Sequence, residues 1–218
     1  EPWRLFGVRF TAAQKRSRHR TVSLLHAFRQ NLCRFQRMPD EFLRGSEKLV
    51  PLANTVQPEV IPIEQGLRLK KFDGSFEKML AGYRDPVVYR NSEGIFEEDK
   101  IPGYDYIRGM CKYLESAGEF YFIQVLENDG YISIGDVTVK SENPPIAIWQ
   151  AKYRGIGIGS KVMKAVIGRL WGLGCEKITG TSIFKWNVAS QRMHESLGFC
   201  RVGETADEYL YELLINHS

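Results

Sequence analysis

Three glycines at alternate positions, Gly155, Gly157 and Gly159, follow Arg154 in the run YRGIGIGS (153–160), just ahead of a helical pattern. Without Cβ atoms, successive N–H groups of such a run can converge on a phosphate, and the helix that starts there adds the positive end of its dipole. Asp136 is a second candidate. It interrupts ISIGDVTV (132–139), an otherwise apolar strand pattern, where a carboxylate is unusual unless paired or functional. The four cysteines, Cys33, Cys111, Cys175 and Cys200, form no CxxC, and with four scattered histidines they give no metal spacing. They are expected to be reduced, buried thiols in a cytoplasmic protein, with no metal bound.

The elements that must position these residues follow from periodicity and punctuation. LRLKKF (67–72) alternates apolar and basic residues like an edge strand, and 75–85 reads as a short helix ended by Pro86. Residues 90–103 form a polar loop carrying Glu93, Glu97, Glu98 and Asp99 with Arg90 and Lys100. A helix is predicted over 104–118, with Tyr106, Met110, Tyr113 and Leu114 on its apolar side. Strands at 119–127 and 131–140 flank Asn128-Asp129-Gly130, a strong hairpin signal. A strand at 145–150 leads into the glycines. The following helix (160–173) buries Val162, Met163, Val166, Ile167, Leu170 and Trp171, with Gly174 as its cap. A strand (177–184), a helix (187–198) and two last strands (199–214) complete a mixed α/β domain of about 150 residues.

A dinucleotide site would need a third glycine at Ser160 and an acid at the end of the next strand. Glu176 lies at a suitable distance but precedes that strand, and the hairpin before the loop does not fit a βαβ unit. Arg154-x-x-Gly157-x-Gly159 instead resembles the Q/R-x-x-G-x-G/A signature of GNAT-superfamily N-acetyltransferases. NVASQRMHESLGF (187–199) resembles the same family's downstream motif, Asn-x-x-Ala-x-x-Leu-Tyr-x-x-x-Gly-Phe. Asn187, Ser190, Met193 and Gly198-Phe199 match it, whereas His194 replaces the Tyr. The resemblance covers about 67–214.

The resemblance implies a mostly antiparallel central sheet flanked by helices, with central strands splayed around acetyl-CoA. It implies direct acetyl transfer to a primary amine in a ternary complex. Arg154, Gly155, Gly157, Gly159 and Ser160 would hold the pyrophosphate, although Arg154 is also read as only flanking the loop. Asn187 and Ser190 would lie along the coenzyme arm, and the N–H groups of Ile148 and Trp149 would hold the thioester carbonyl. An amine with a reference pKa of ~10.4 must lose a proton before it attacks, and Asp136 is the candidate base and acceptor contact. Gln150 is a weaker contact for the amine, and Glu97 and Glu98 form an acidic rim for a cationic acceptor. His194 is a candidate donor to the leaving thiolate. The branch resembled holds aminoglycoside and ribosomal-protein N-terminal acetyltransferases, so a polyamine, an aminoglycoside and a protein N-terminus all remain as acceptors.

Charge is unevenly distributed: residues 1–49 hold 11 Lys/Arg against 4 Asp/Glu, and 50–218 hold 19 against 22. The basic front has an apolar stripe of Val22, Leu25, Phe28, Leu32 and Phe35, expected to form one amphipathic helix. Pro58 and Pro62 mark a linker up to Gly66, which makes 1–66 an extension and 67–218 the domain. Residues 1–37 are open as an arm for RNA or the ribosome, a docking helix, a transit peptide, or sequence ahead of a start at Met38. The rival to an enzyme is an acetyl-CoA sensor or a ribosome-associated module using that arm. A homodimer is also kept open. No apolar run approaches the ~20 residues of a membrane span.

Overall fold

Pro62 decides which strand borders the larger sheet. The computed structural model describes residues 56–214, and the basic front with its expected helix lies outside these. β1 (Val60–Glu64) pairs antiparallel with β2 (Leu67–Lys71), with Pro62 opposite Arg68. Proline cannot donate to a ladder, so it is tolerated in a strand with one open side. The stretch expected to be linker is therefore partly sheet, and β2 is flanked on both sides instead of forming the edge.

The sheet continues through β3 (Glu119–Glu127), β4 (Gly130–Val139) and β5 (Ile146–Ile148), all antiparallel. Glu127 faces Gly130 across the two-residue turn Asn128–Asp129, so the expected hairpin forms with Gly130 paired as the first residue of β4 and not inside the turn. β3 is buried on both faces, which explains its nearly unbroken apolar run.

Three helices cover one face: α1 (Glu77–Gly82), α2 (Pro86–Glu93) and α3 (Tyr104–Ala117). Pro86 opens α2 and does not merely end the helix before it. The Asp85 carboxylate caps α2 by accepting from the N–H groups of Val87 and Val88, and proline suits the first helical position. The loop expected from residue 90 therefore starts only after Glu93. On α3 the buried residues are Ile107, Cys111 and Leu114; Tyr106 and Met110 flank them and Tyr113 is exposed. The expected apolar side was thus rotated by about one residue.

α4 (Ile158–Gly172) covers the other face through Val162, Met163, Val166 and Leu170, while Trp171 is exposed. Burying each such side chain contributes about 1.5–3 kcal/mol. Its end is a Schellman turn: Gly174 N–H donates to Trp171 O and Cys175 N–H to Leu170 O. Arg169, in the last turn, makes a bidentate pair with the buried Glu119 at the start of β3. Of the described thiols, Cys111 is buried, Cys175 half-buried and Cys200 exposed, so Cys200 departs from the expected burial.

β6 (Lys177–Phe184), β8 (Glu208–Leu214) and β7 (Cys200–Glu204) form a second, three-stranded sheet, with α5 (Val188–Ser196) between β6 and β7. β6 is tied to the segment after β4: Asn143 N–H donates to Thr179 O, and Thr179 N–H to Ser141 O. Beyond that tie β5 and β6 belong to different sheets. The strands are joined at one end and part toward the glycine loop, which is the expected splay.

A Cβ at Gly135 would collide with the backbone carbonyl oxygen of Ala147. Gly135→Ala should therefore push β5 from β4 and lower stability by about 1–3 kcal/mol, read by urea unfolding.

Candidate active site

The parting of β5 from β6 exposes an edge whose hydrogen-bonding groups are fixed by register. In an antiparallel pair, alternate residues exchange bonds with the partner and the others point away. Trp149 N–H donates to Ile134 O at 2.8 Å, and Thr138 N–H to Pro145 O at 3.1 Å. Asp136 faces Ala147 and Gly135 faces Ile148, so the Ile148 N–H points away from β4 toward the splay. Of the two amides expected to hold a carbonyl, Ile148 is directed there. The Trp149 amide is engaged by β4.

Beyond β5 a 3-10 turn (Ala151–Tyr153) leads into the glycines. Gly155 has φ +76° and Gly157 φ +87°, a backbone that a side chain strains, and a Cβ at either would meet no protein atom within 4 Å. Their backbone thus faces open space. Gly157 is the N-cap of α4 with no capping side chain, and the first N–H of the helix bonded within it is that of Lys161, to Gly157 O. The N–H groups of Ile158, Gly159 and Ser160 stand at the positive end of a 15-residue helix. Gly159 serves a different purpose: its Cβ would lie 3.1 Å from the Met193 sulfur, so it lets α4 approach α5.

The Arg154 guanidinium, at the mouth of the loop, donates two bonds to Asp85, at 2.9 Å and 2.8 Å. Asn187 caps α5 by accepting from Ser190 N–H at 3.2 Å.

His194 has become a structural group. It is 3% exposed, its Nδ1 donates to Ser190 O at 2.9 Å, and its ring meets Phe199 edge-on. Those two residues close the Schellman turn of α5, in which Phe199 N–H donates to His194 O. Burial pulls the imidazole pKa down, so the ring is neutral with its one N–H engaged. Such a group is poorly suited to donate a proton to a thiolate.

Asp136 lies beneath the helical layer. A bulge at Ile134, where Ile123 faces Gly135 but Gln124 faces Ser133, resets the alternation of β4. Ile134, Val137 and Val139 then face α4, while Asp136 faces α1–α3. It is 1% exposed, accepts from the Trp149 indole N–H at 2.7 Å, and has the Tyr83 hydroxyl at 3.3 Å. Burial pushes its pKa up to about 7; the two donors oppose this and the charge of Glu93 adds to it. Glu93 in turn accepts from the Tyr106 hydroxyl. Burial, then Asp136, pushes the Tyr83 hydroxyl well above its ordinary value, and burial pushes Cys111 up to about 12, so neither is an ionised neighbour.

Other expected contacts are directed elsewhere. The Gln150 amide donates to Ser133 O at 3.2 Å. Glu97 pairs with Lys100 at 2.8 Å within the exposed turn Glu98–Lys100 and its flank, which neutralises part of the acidic rim. Sequence reasoning missed Tyr83, Asp85 and Tyr106 and the indole of Trp149. Only Asp85 carried a local signal, as an Asp before Pro at a helix start. Among the described residues no group of three or more His, Cys, Asp or Glu could hold a metal ion, and no helix is long and apolar enough to cross a membrane.

The sequence model of the acetyltransferase (GNAT) family matches residues 88–199, from α2 to the end of the α5 turn. The chain belongs to the GNAT acetyltransferase family. No curated protein matches it in sequence. Among solved structures, a domain from Methanocaldococcus jannaschii is similar with a TM-score of 0.60 at 21% identity, over 69% of this chain and 99% of that one. The microcin C7 self-immunity acetyltransferase MccE gives 0.56 at 13%, over 72% and 97%. The Salmonella typhimurium acetyl transferase that modifies the N-terminal serine of ribosomal protein L7/L12 gives 0.53 at 16%, over 72% and 100%. At these identities the likeness is one of fold, and for this GNAT chain it is the antiparallel sheet flanked by helices.

Two outcomes follow from the site. Asp136 keeps its proton in the folded chain at a pH where the unfolded chain has released it. Its contribution to stability is complete below ~4 and is lost as pH rises through about 7. Urea unfolding of Asp136→Asn should lack this fall. Gly157→Val places a side chain in the cradle and strains a left-handed backbone by ~1–2 kcal/mol. Acetyl-CoA binding, measured by calorimetry, should weaken at least tenfold.

Proposed function

We propose that this protein transfers an acetyl group from acetyl-CoA to a primary amine in a ternary complex, with Asp136 as the base. The observation that carries this reading is the buried carboxylate with a pKa near 7, one strand away from the Ile148 N–H and the uncapped start of α4. MccE, solved with acetyl-CoA and AMP, supports the choice of donor.

The N–H groups of Ile158, Gly159 and Ser160 fit a pyrophosphate, because they are unbonded within α4 and lie beside Gly155 and Gly157, whose backbone faces open space. Asn187 and Ser190 at the start of α5 are the side chains assigned to the coenzyme arm. When bound, acetyl-CoA supplies the activated acyl group. The Ile148 N–H is the donor assigned to its carbonyl oxygen as negative charge develops there. Asp136 takes the proton that an ammonium must lose before its nitrogen can attack, and a pKa near neutrality suits a base working at that pH. The Trp149 indole holds the carboxylate in place, and Tyr83 supports it.

The acceptor is an amine that arrives as a cation, since Asp136 and Glu93 both lie on the α1–α3 side. Aminoglycosides, polyamines and protein N-termini share that chemistry. The Salmonella typhimurium relative, which modifies an N-terminal serine, favours including N-terminal peptides among the acceptors tried. Thiol release from acetyl-CoA with spermidine, kanamycin and Ser-, Ala- or Met-initiated peptides is the test. At least one amine should turn over, with an acid limb near pH 7. Asp136→Asn should cut kcat by ~10²-fold or more while the acetyl-CoA dissociation constant stays unchanged. Undiminished turnover in this variant would remove Asp136 as the base, and tight coenzyme binding without turnover of any amine would point to a sensor.

A further inference from the structure

Asp85 sits at a junction that neither the coenzyme cradle nor the acceptor side explains alone. Its carboxylate binds both terminal nitrogens of the Arg154 guanidinium, at 2.9 Å and 2.8 Å. The oxygen that accepts one of these bonds also accepts from Val87 N–H at 2.9 Å and Val88 N–H at 3.3 Å, which starts α2. One side chain thus anchors the residue that opens the glycine loop and caps the helix whose other end carries Glu93.

The pair is well suited to transmit a displacement. It is bidentate, which fixes angle as well as distance. The two side chains are only 22% and 30% exposed, so water competes less than at an open surface pair. Arg154 is followed at once by Gly155, whose φ of +76° makes the chain turn sharply there. Any ordering of the loop must therefore bear on Arg154 and through it on Asp85. α2 itself packs through Val88 and Tyr89, and its last residue, Glu93, adds to the charge that Asp136 experiences.

We propose that Asp85 is a positioning residue that couples the coenzyme loop to α2, so that acetyl-CoA binding tightens the helix on the acceptor side. This rests on the reading that the glycine loop receives acetyl-CoA. Arg154 serves the coenzyme through Asp85, not as a direct phosphate ligand.

Hydrogen exchange of the full chain, with and without saturating acetyl-CoA, tests this without knowledge of the acceptor. In the wild type, exchange should slow severalfold both in 154–160 and in 87–93. Asp85→Asn keeps a good helix cap but loses the charge. In it the loop should still be protected, with acetyl-CoA bound severalfold more weakly, and the protection of 87–93 should vanish. Arg154→Gln breaks the same pair from the other side and should behave alike, which guards against a folding defect in either variant. The proposal is overturned if 87–93 is unaffected by acetyl-CoA in the wild type, or equally protected in both variants. It is also overturned if Asp85→Asn binds acetyl-CoA more tightly, since Arg154 would then be a phosphate ligand that Asp85 holds back. Absence of protection in 154–160 of the wild type would instead remove the coenzyme reading beneath it.

Discussion

A carboxylate buried in an apolar layer must be hydrogen-bonded, and much of the helical side of this sheet is arranged around that demand. Asp136 could face α1–α3 only because the bulge at Ile134 resets the alternation of β4. Its strongest bond comes from the Trp149 indole, and that indole is in place because α1 comes close at Gly82, where a Cβ would collide with the ring. Phe122, opposite Asp136 on β3, meets the same indole edge-on. A bulge, a glycine and two aromatic rings thus fix one carboxylate. Since both donors are neutral, the bonds do not abolish the burial penalty. The proton affinity stays near neutrality, where a group can take up and release a proton.

The same strands divide the backbone between the ladder and the splay. β5 has three residues, and the alternation of an antiparallel ladder leaves Ile148 with its N–H away from β4, while its neighbour Trp149 is bonded to Ile134. A shift of one residue would exchange these roles and also turn Trp149 off Asp136. Gly135 guards against such a change, because the close approach of Ala147 O leaves room for no other residue there. Register therefore links the amide that faces the splay to the carboxylate beneath the sheet.

Much of the fold was legible because local signals and tertiary packing agreed. The β3–β4 hairpin, the buried run of β3, the α4 stripe and the Gly174 cap each need only neighbouring residues to be read. The errors arose where one residue permits two outcomes. Pro62 argues against a helix, but an edge strand accommodates it, and only the presence of β2 decides. Pro86 can end one helix and begin another, and the Asp85 cap made the second outcome the stable one. Trp171 fitted the α4 stripe by spacing, yet at the end of the helix no element of the described residues covers it fully.

The candidate site residues divide by a similar logic. The open backbone ahead of α4 is written into the sequence, because left-handed turns at Gly155 and Gly157 demand glycine and the helix must follow at once. The side chains around Asp136 come from positions 83, 93, 106 and 149, on four different stretches of chain, and no spacing connects them. Arg154 shows what a motif leaves open. Its place in the signature allowed a phosphate ligand or a flanking residue, and its geometry depends on a carboxylate 69 residues earlier. His194 shows the complement: its place at the motif's Tyr position made it a candidate, but a Schellman turn and Phe199 bury it. A residue type says what chemistry is available, and its hydrogen-bonding partners decide whether that chemistry is free to act. At Asp136 the partners hold the group without neutralising it, which separates it from both Arg154 and His194.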